Sequence, residues 1–114
     1  MKLHKTMKQH DYLSEPGEFC RVIGTTPKNR ILEFLLASRG IDFGIGDIAR
    51  ETTVNRITTY LIMNKLIDEK MVKKTRVVGR TQLYMINPEN ERVQKLMAVF
   101  NTILKTKLPQ IITT

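Results

Sequence analysis

A chain of 114 residues with 41% hydrophobic side chains fits one domain able to bury a core of its own. Nineteen basic residues against eleven acidic ones leave a net charge of +8, which points to a polyanionic partner, either nucleic acid or an anionic membrane face. The single cysteine, Cys20, excludes an internal disulfide and a multi-cysteine zinc site, and no apolar run reaches the roughly 20 residues of a membrane span.

The first 13 residues are polar and basic, with Lys2, Lys5 and Lys8, and read as a mobile arm. Met1-Lys2-Leu3-His4-Lys5 has no apolar stretch behind it, so no secretory leader is expected and the location is expected to be cytoplasmic. A domain over 14–86 follows. Ser14-Glu15-Pro16-Gly17 opens a short helix with Phe19, Val22 and Ile23 on one face, and Gly24 stops it. Thr26 as N-cap and Pro27 at the first position start a core helix to Ser38, carrying Ile31, Leu32, Phe34, Leu35 and Leu36.

Ile41 to Ile45 alternates briefly around Phe43, as a strand of two or three residues would. Gly46-Asp47 opens a second short helix, Asp47 to Glu51, whose Ala49 suits a close helix crossing. Thr52-Thr53-Val54 is a tight turn, and Asn55 caps a third helix over Arg56 to Asp68, with Thr59, Met63 and Leu66 facing inward. The period then drops to two. Met71–Val78 and Thr81–Ile86 read as a hairpin turning at Gly79-Arg80. Asn87-Pro88 starts a last helix over 87–108, where Val93, Leu96, Met97, Phe100, Ile103 and Leu104 form one apolar stripe; Pro109 is expected to stop it before a tail over 109–114.

Two features give this α+β, mainly helical chain a functional direction. The second and third helices are joined by about three residues, the spacing of a helix-turn-helix. Residues 70–80 hold Lys70, Lys73, Lys74, Arg76 and Arg80 and no acid, so the hairpin is suited to phosphate. The third helix can enter a major groove about 12 Å wide.

The matching segments are Thr26-Pro27-Lys28-Asn29-Arg30-Ile31-Leu32, Gly46-Asp47-Ile48-Ala49-Arg50-Glu51, Asn55-Arg56-Ile57-Thr58-Thr59-Tyr60 and the hairpin from Lys70 through Leu83-Tyr84. With these, Phe19 to Lys105 resembles the winged helix-turn-helix transcriptional regulators of the MarR/ArsR-like kind. The resemblance implies a homodimer on double-stranded DNA, with no cofactor. It implies groove-facing positions at Asn55, Arg56, Ile57, Thr58, Tyr60, Leu61 and Asn64, and phosphate contacts from Lys73, Lys74, Arg76 and Arg80. The last helix becomes a C-terminal dimerisation helix through Val93, Leu96, Met97, Phe100, Ile103 and Leu104. Where such regulators often carry glycine this chain has Thr53 and Lys70. A lysine in a left-handed conformation costs about 1 kcal/mol, so a local departure is expected there.

Two other roles fit the same fold: a protein-interaction module docking through Ile57, Leu61 and Ile67, and an architectural or partition protein that coats DNA. An enzyme is not expected, because no histidine lies in the folded region and no phosphate loop or supported carboxylate pair is present. His4, His10 and Cys20 match no common metal spacing, and Cys20 reads as a small buried hydrophobe.

Overall fold

The computed structural model describes residues 15–113; the expected arm over 1–13, with His4 and His10, lies outside them. Among the described residues the order is α1 (Glu18–Ile23), α2 (Pro27–Ala37), α3 (Ile45–Thr52), α4 (Arg56–Asp68), β1 (Val72–Val78), β2 (Thr81–Ile86) and α5 (Glu91–Thr113).

The helix starts follow capping chemistry. Thr26 Oγ1 accepts the Asn29 N–H at 3.0 Å with Pro27 at the first position, and Asn55 Oδ1 accepts the Thr58 N–H at 2.8 Å. α3 begins earlier than the Gly46-Asp47 pair suggested. Gly44 is its N-cap, and Asp47, three residues in, accepts the Gly44 N–H at 3.3 Å. Gly44 has no room for a side chain: a Cβ there would stand 2.8 Å from Thr81 Cγ2 of β2.

α5 differs at both ends from the expected 87–108. Asn87 is occupied at the sheet, donating to the Met71 carbonyl from its backbone and to the Lys70 carbonyl from its side chain. Asn90 is the cap instead, with its Oδ1 accepting the Val93 N–H at 3.1 Å. The helix also continues past Pro109 to Thr113. A proline removes one backbone hydrogen bond, and in an already long helix that single loss is not an obligatory stop.

The expected strand over 41–45 is one bridge. Phe43 and Tyr84 exchange both backbone hydrogen bonds at 2.8 Å, which fastens the α2–α3 connection to β2. β1 and β2 pair antiparallel, Val72 opposite Ile86 and Val78 opposite Thr81, with the register slipping by one between Lys74 and Val77. Thr75 and Arg76 therefore form a bulge. Gly79 takes φ 62° in the turn, a conformation glycine adopts without strain.

One core joins these layers. Ile31, Leu35 and Leu36 of α2, Ile48 of α3, Met63 and Leu66 of α4, and Val72 and Ile86 of the hairpin are fully buried together. Phe19 of α1 packs its ring 5.8 Å from Phe100 of α5, so the two end helices close the other side.

Candidate nucleic-acid interface

α4 is buried along Thr59, Met63 and Leu66, and Thr59 satisfies its hydroxyl on the Asn55 carbonyl at 2.9 Å. Its opposite face is Ile57, Tyr60, Leu61 and Asn64, at the i, i+3, i+4, i+7 spacing of one stripe, and all four are exposed. Asn55 is exposed, with its side chain engaged as the cap, and Thr58 is half-buried beside it. Arg56 is exposed at the first turn, its guanidinium lying over Gly46 of α3, 3.3 Å from where a Cβ would stand. Of the expected groove-facing set, Ile57, Tyr60, Leu61 and Asn64 thus share the free side of α4, while Asn55 and Arg56 lie at its N-terminal end and Thr58 is half-buried.

The turn before α4 keeps the left-handed geometry that glycine usually supplies. Thr53 has φ 54°. Its hydroxyl accepts a hydrogen bond from Arg30 Nη1 at 2.8 Å and donates to the Thr52 carbonyl at 2.6 Å, which offsets the strain. Lys70 has φ 62°, so the local departure expected there does not occur. The Asn87 and Asn90 side-chain amides both donate to the Lys70 carbonyl, at 2.9 and 3.1 Å, and hold the helix-to-hairpin junction in place.

The hairpin exposes Lys74 and Arg80, while Lys73 is half-buried. Arg76 is not the free cation the sequence suggested. Its Nε and Nη2 reach Asp42 Oδ2 and Oδ1 at 3.0 and 3.3 Å, and Thr75 Oγ1 donates to the same carboxylate at 2.6 Å. The Arg76 hydrogen bonds, with help from Thr75, hold the Asp42 carboxyl below its ordinary value of 3.8. No local signal in the sequence marks Asp42, because its partner lies 34 residues away across a bulge no periodicity reveals. With the Phe43–Tyr84 bridge, and with Phe34 and Phe43 rings 4.8 Å apart, this pair ties the hairpin to the core. The outer end of β1 is partly apolar, since Val77 and Val78 are exposed.

The α5 stripe serves this chain's own core more than an outer surface. Val93, Phe100 and Ile103 are buried, and Leu96 and Met97 pack half-buried against the core; of the six only Leu104 is exposed. α1 covers Phe100 with Phe19, and α2 also packs on α5. Val22 and Ile23 of α1 and Val99 of α5 are the exposed apolar neighbours. Glu33 is a further residue the sequence did not single out. From α2 it accepts the Gly17 and Cys20 N–H groups at 2.8 and 3.0 Å, capping an α1 whose own N-cap, Gly17, has no side chain. Burial, and then the Glu33 charge, push the Cys20 thiol from its ordinary 9.0 up to about 11. Among the described residues no group of three acidic, histidine or cysteine side chains is placed to hold a metal ion. No helix among them is long and apolar enough to cross a membrane.

Solved structures share this arrangement. A mutant of the Staphylococcus aureus transcription regulator MepR bound to an oligodeoxyribonucleotide superposes with a TM-score of 0.57 at 16% identity, over 100% of this chain and 78% of that one. A MarR family transcriptional regulator from Silicibacter pomeroyi gives 0.56 at 17% identity, over 96% of this chain and 70% of that one. The fold is a winged helix-turn-helix. An Escherichia coli protein described as a predicted DNA-binding transcriptional regulator matches with a TM-score of 0.53 at 20% identity, over 90% of this chain and 96% of that one. No family model and no curated protein sequence matches the chain. In this fold α3 and α4 are the helix-turn-helix and β1–β2 is the wing.

Proposed function

We propose that the chain binds double-stranded DNA as a homodimeric transcriptional regulator, with α4 in the major groove and the β1–β2 wing along the neighbouring backbone. The observation that carries this reading is the free face of α4, left unpacked by the core and followed in the chain by the exposed cations Lys74 and Arg80. A helix about 10–12 Å across matches a groove about 12 Å wide. The MepR mutant bound to an oligodeoxyribonucleotide supports DNA binding by a chain of this fold. In this role the protein is not an enzyme and needs no cofactor.

A twofold dimer would place two α4 helices in successive major grooves about 34 Å apart. Val22 and Ile23 of α1 and Val99 and Leu104 of α5 are exposed apolar side chains on two helices that pack together, and among the described residues they are the candidates for such a contact. Sedimentation should show a dimer that Val99→Glu with Leu104→Glu converts to monomer.

The functional test is a salt titration of binding to random duplex DNA. Affinity should fall steeply with salt, about 0.9 log units per log unit for each phosphate neutralised. Lys74→Ala should weaken all sequences alike and flatten that slope, whereas Arg56→Ala should chiefly relax sequence preference. No binding at low salt would refute the reading. The exposure of Ile57 and Leu61 also suits a protein-docking module, although Ile67, the third member of that patch, is half-buried against the core.

A further inference from the structure

Ile57, Tyr60 and Leu61 are 75%, 53% and 62% exposed on one stripe of α4, so this short helix is apolar on its core face and on its solvent face. A helix that serves only to cover a core carries polar residues outside. Among the described residues no element covers the stripe, which leaves it open to an occupant from outside.

We propose that this stripe reads thymine, with Ile57 and Leu61 seated against C5-methyl groups on the floor of the major groove and Tyr60 flanking them. The inference rests on the DNA-binding reading and names what the helix selects. Charge chooses DNA over a protein as occupant: Arg56 borders the stripe at its N-terminal end, Lys65 lies just beyond Asn64, and the wing that follows adds Lys74 and Arg80, all exposed. Within the groove the thymine methyl is the one apolar feature; guanine, cytosine and adenine present hydrogen-bonding edges. An aliphatic side chain pressed against those edges buries them without a partner, whereas against a methyl it gains by removing apolar surface from water. Asn64, one turn further on, is the polar member and can pair with an adenine edge. Four residues of helix advance about 6 Å, near two base steps of about 3.4 Å, so the two methyls belong to base pairs about two steps apart.

The test is selection of bound sequences from a randomised duplex pool, followed by resynthesis of the enriched duplexes with deoxyuridine in place of thymidine, which removes only the methyl. Affinity should drop about fourfold for each methyl contacted. In Ile57→Ala and Leu61→Ala, single changes at exposed positions that leave the core intact, the thymidine-to-deoxyuridine ratio should fall toward one. Equal affinity of the wild-type chain for both forms, or a pool bound with steep salt dependence but without enrichment, overturns thymine reading and leaves DNA binding standing. A chain that binds no duplex at low salt overturns both, and the stripe then belongs to a protein partner.

Discussion

Removing Glu33 should loosen α1 specifically. Its carboxylate accepts two N–H groups at the α1 N-terminus, at 2.8 and 3.0 Å, from a helix that starts ten residues after Gly17. A hydrogen bond to a charged acceptor contributes about 1.5–3 kcal/mol, and an anion at a helix N-terminus adds about 0.3–1 kcal/mol. The site is part-buried, so water recovers a share of both bonds when the carboxylate is removed. The expected cost of Glu33→Ala is therefore about 2–3 kcal/mol, and of Glu33→Gln, which keeps one acceptor oxygen, about half that. Urea unfolding gives the global figure from a shift in midpoint at unchanged slope. A second readout is local. Cys20 lies fully buried on α1, so its reaction with a neutral disulfide reagent reports opening of that helix. Its rate should rise in Glu33→Ala by more than the global loss accounts for. If Glu33→Ala stays within about 0.5 kcal/mol of wild type and Cys20 keeps its protection, the Glu33 carboxylate does not hold α1 in place.

Three further outcomes follow from the same geometry. Lys70→Gly relieves a left-handed conformation costing about 1–2 kcal/mol against an entropic loss of about 0.4–1 kcal/mol, so thermal unfolding should move up by a few degrees while Lys70→Ala gives no gain. Asp42→Ala frees Arg76 for phosphate, so binding to random duplex should strengthen at low salt and the salt slope steepen by up to about 0.9; an unchanged slope would mean Arg76 faces away from DNA. The raised Cys20 thiol sets an alkaline limit. The folded state holds the neutral form while the unfolded thiol ionises from 9.0, so stability should be fully present below pH 9 and decline as pH rises toward about 11. In Cys20→Ala that decline should shrink.

The local signals in this chain were strong enough to read directly. Thr26-Pro27 and Asn55 are caps whose side chains need only a residue three positions on, and the change of period at Met71 marks the hairpin within a residue of where β1 begins. Those signals act over one helical turn or one strand pair, which is why they survive without knowledge of the fold. The exposed face of α4, with Ile57, Tyr60, Leu61 and Asn64, was legible for the same reason: it follows from helical spacing once the inward residues are known.

What lies far apart in sequence was decided by packing. Arg76 read as a free cation until the bulge in β1 set it against Asp42. Lys70 and Thr53 read as misfits at positions that favour glycine, until Asn87, Asn90 and Arg30 supplied the hydrogen bonds that hold them. The α5 stripe read as an outer interface because periodicity shows that a face is apolar but not which surface it meets; α1, docked by Phe19 and capped by Glu33, and α2 beside it take most of the stripe into the chain's own core. Sequence alone therefore determined which elements form and which faces are apolar. The tertiary structure decided which charges stay free and which apolar faces remain uncovered, because pairing and burial depend on neighbours that only the folded chain brings together.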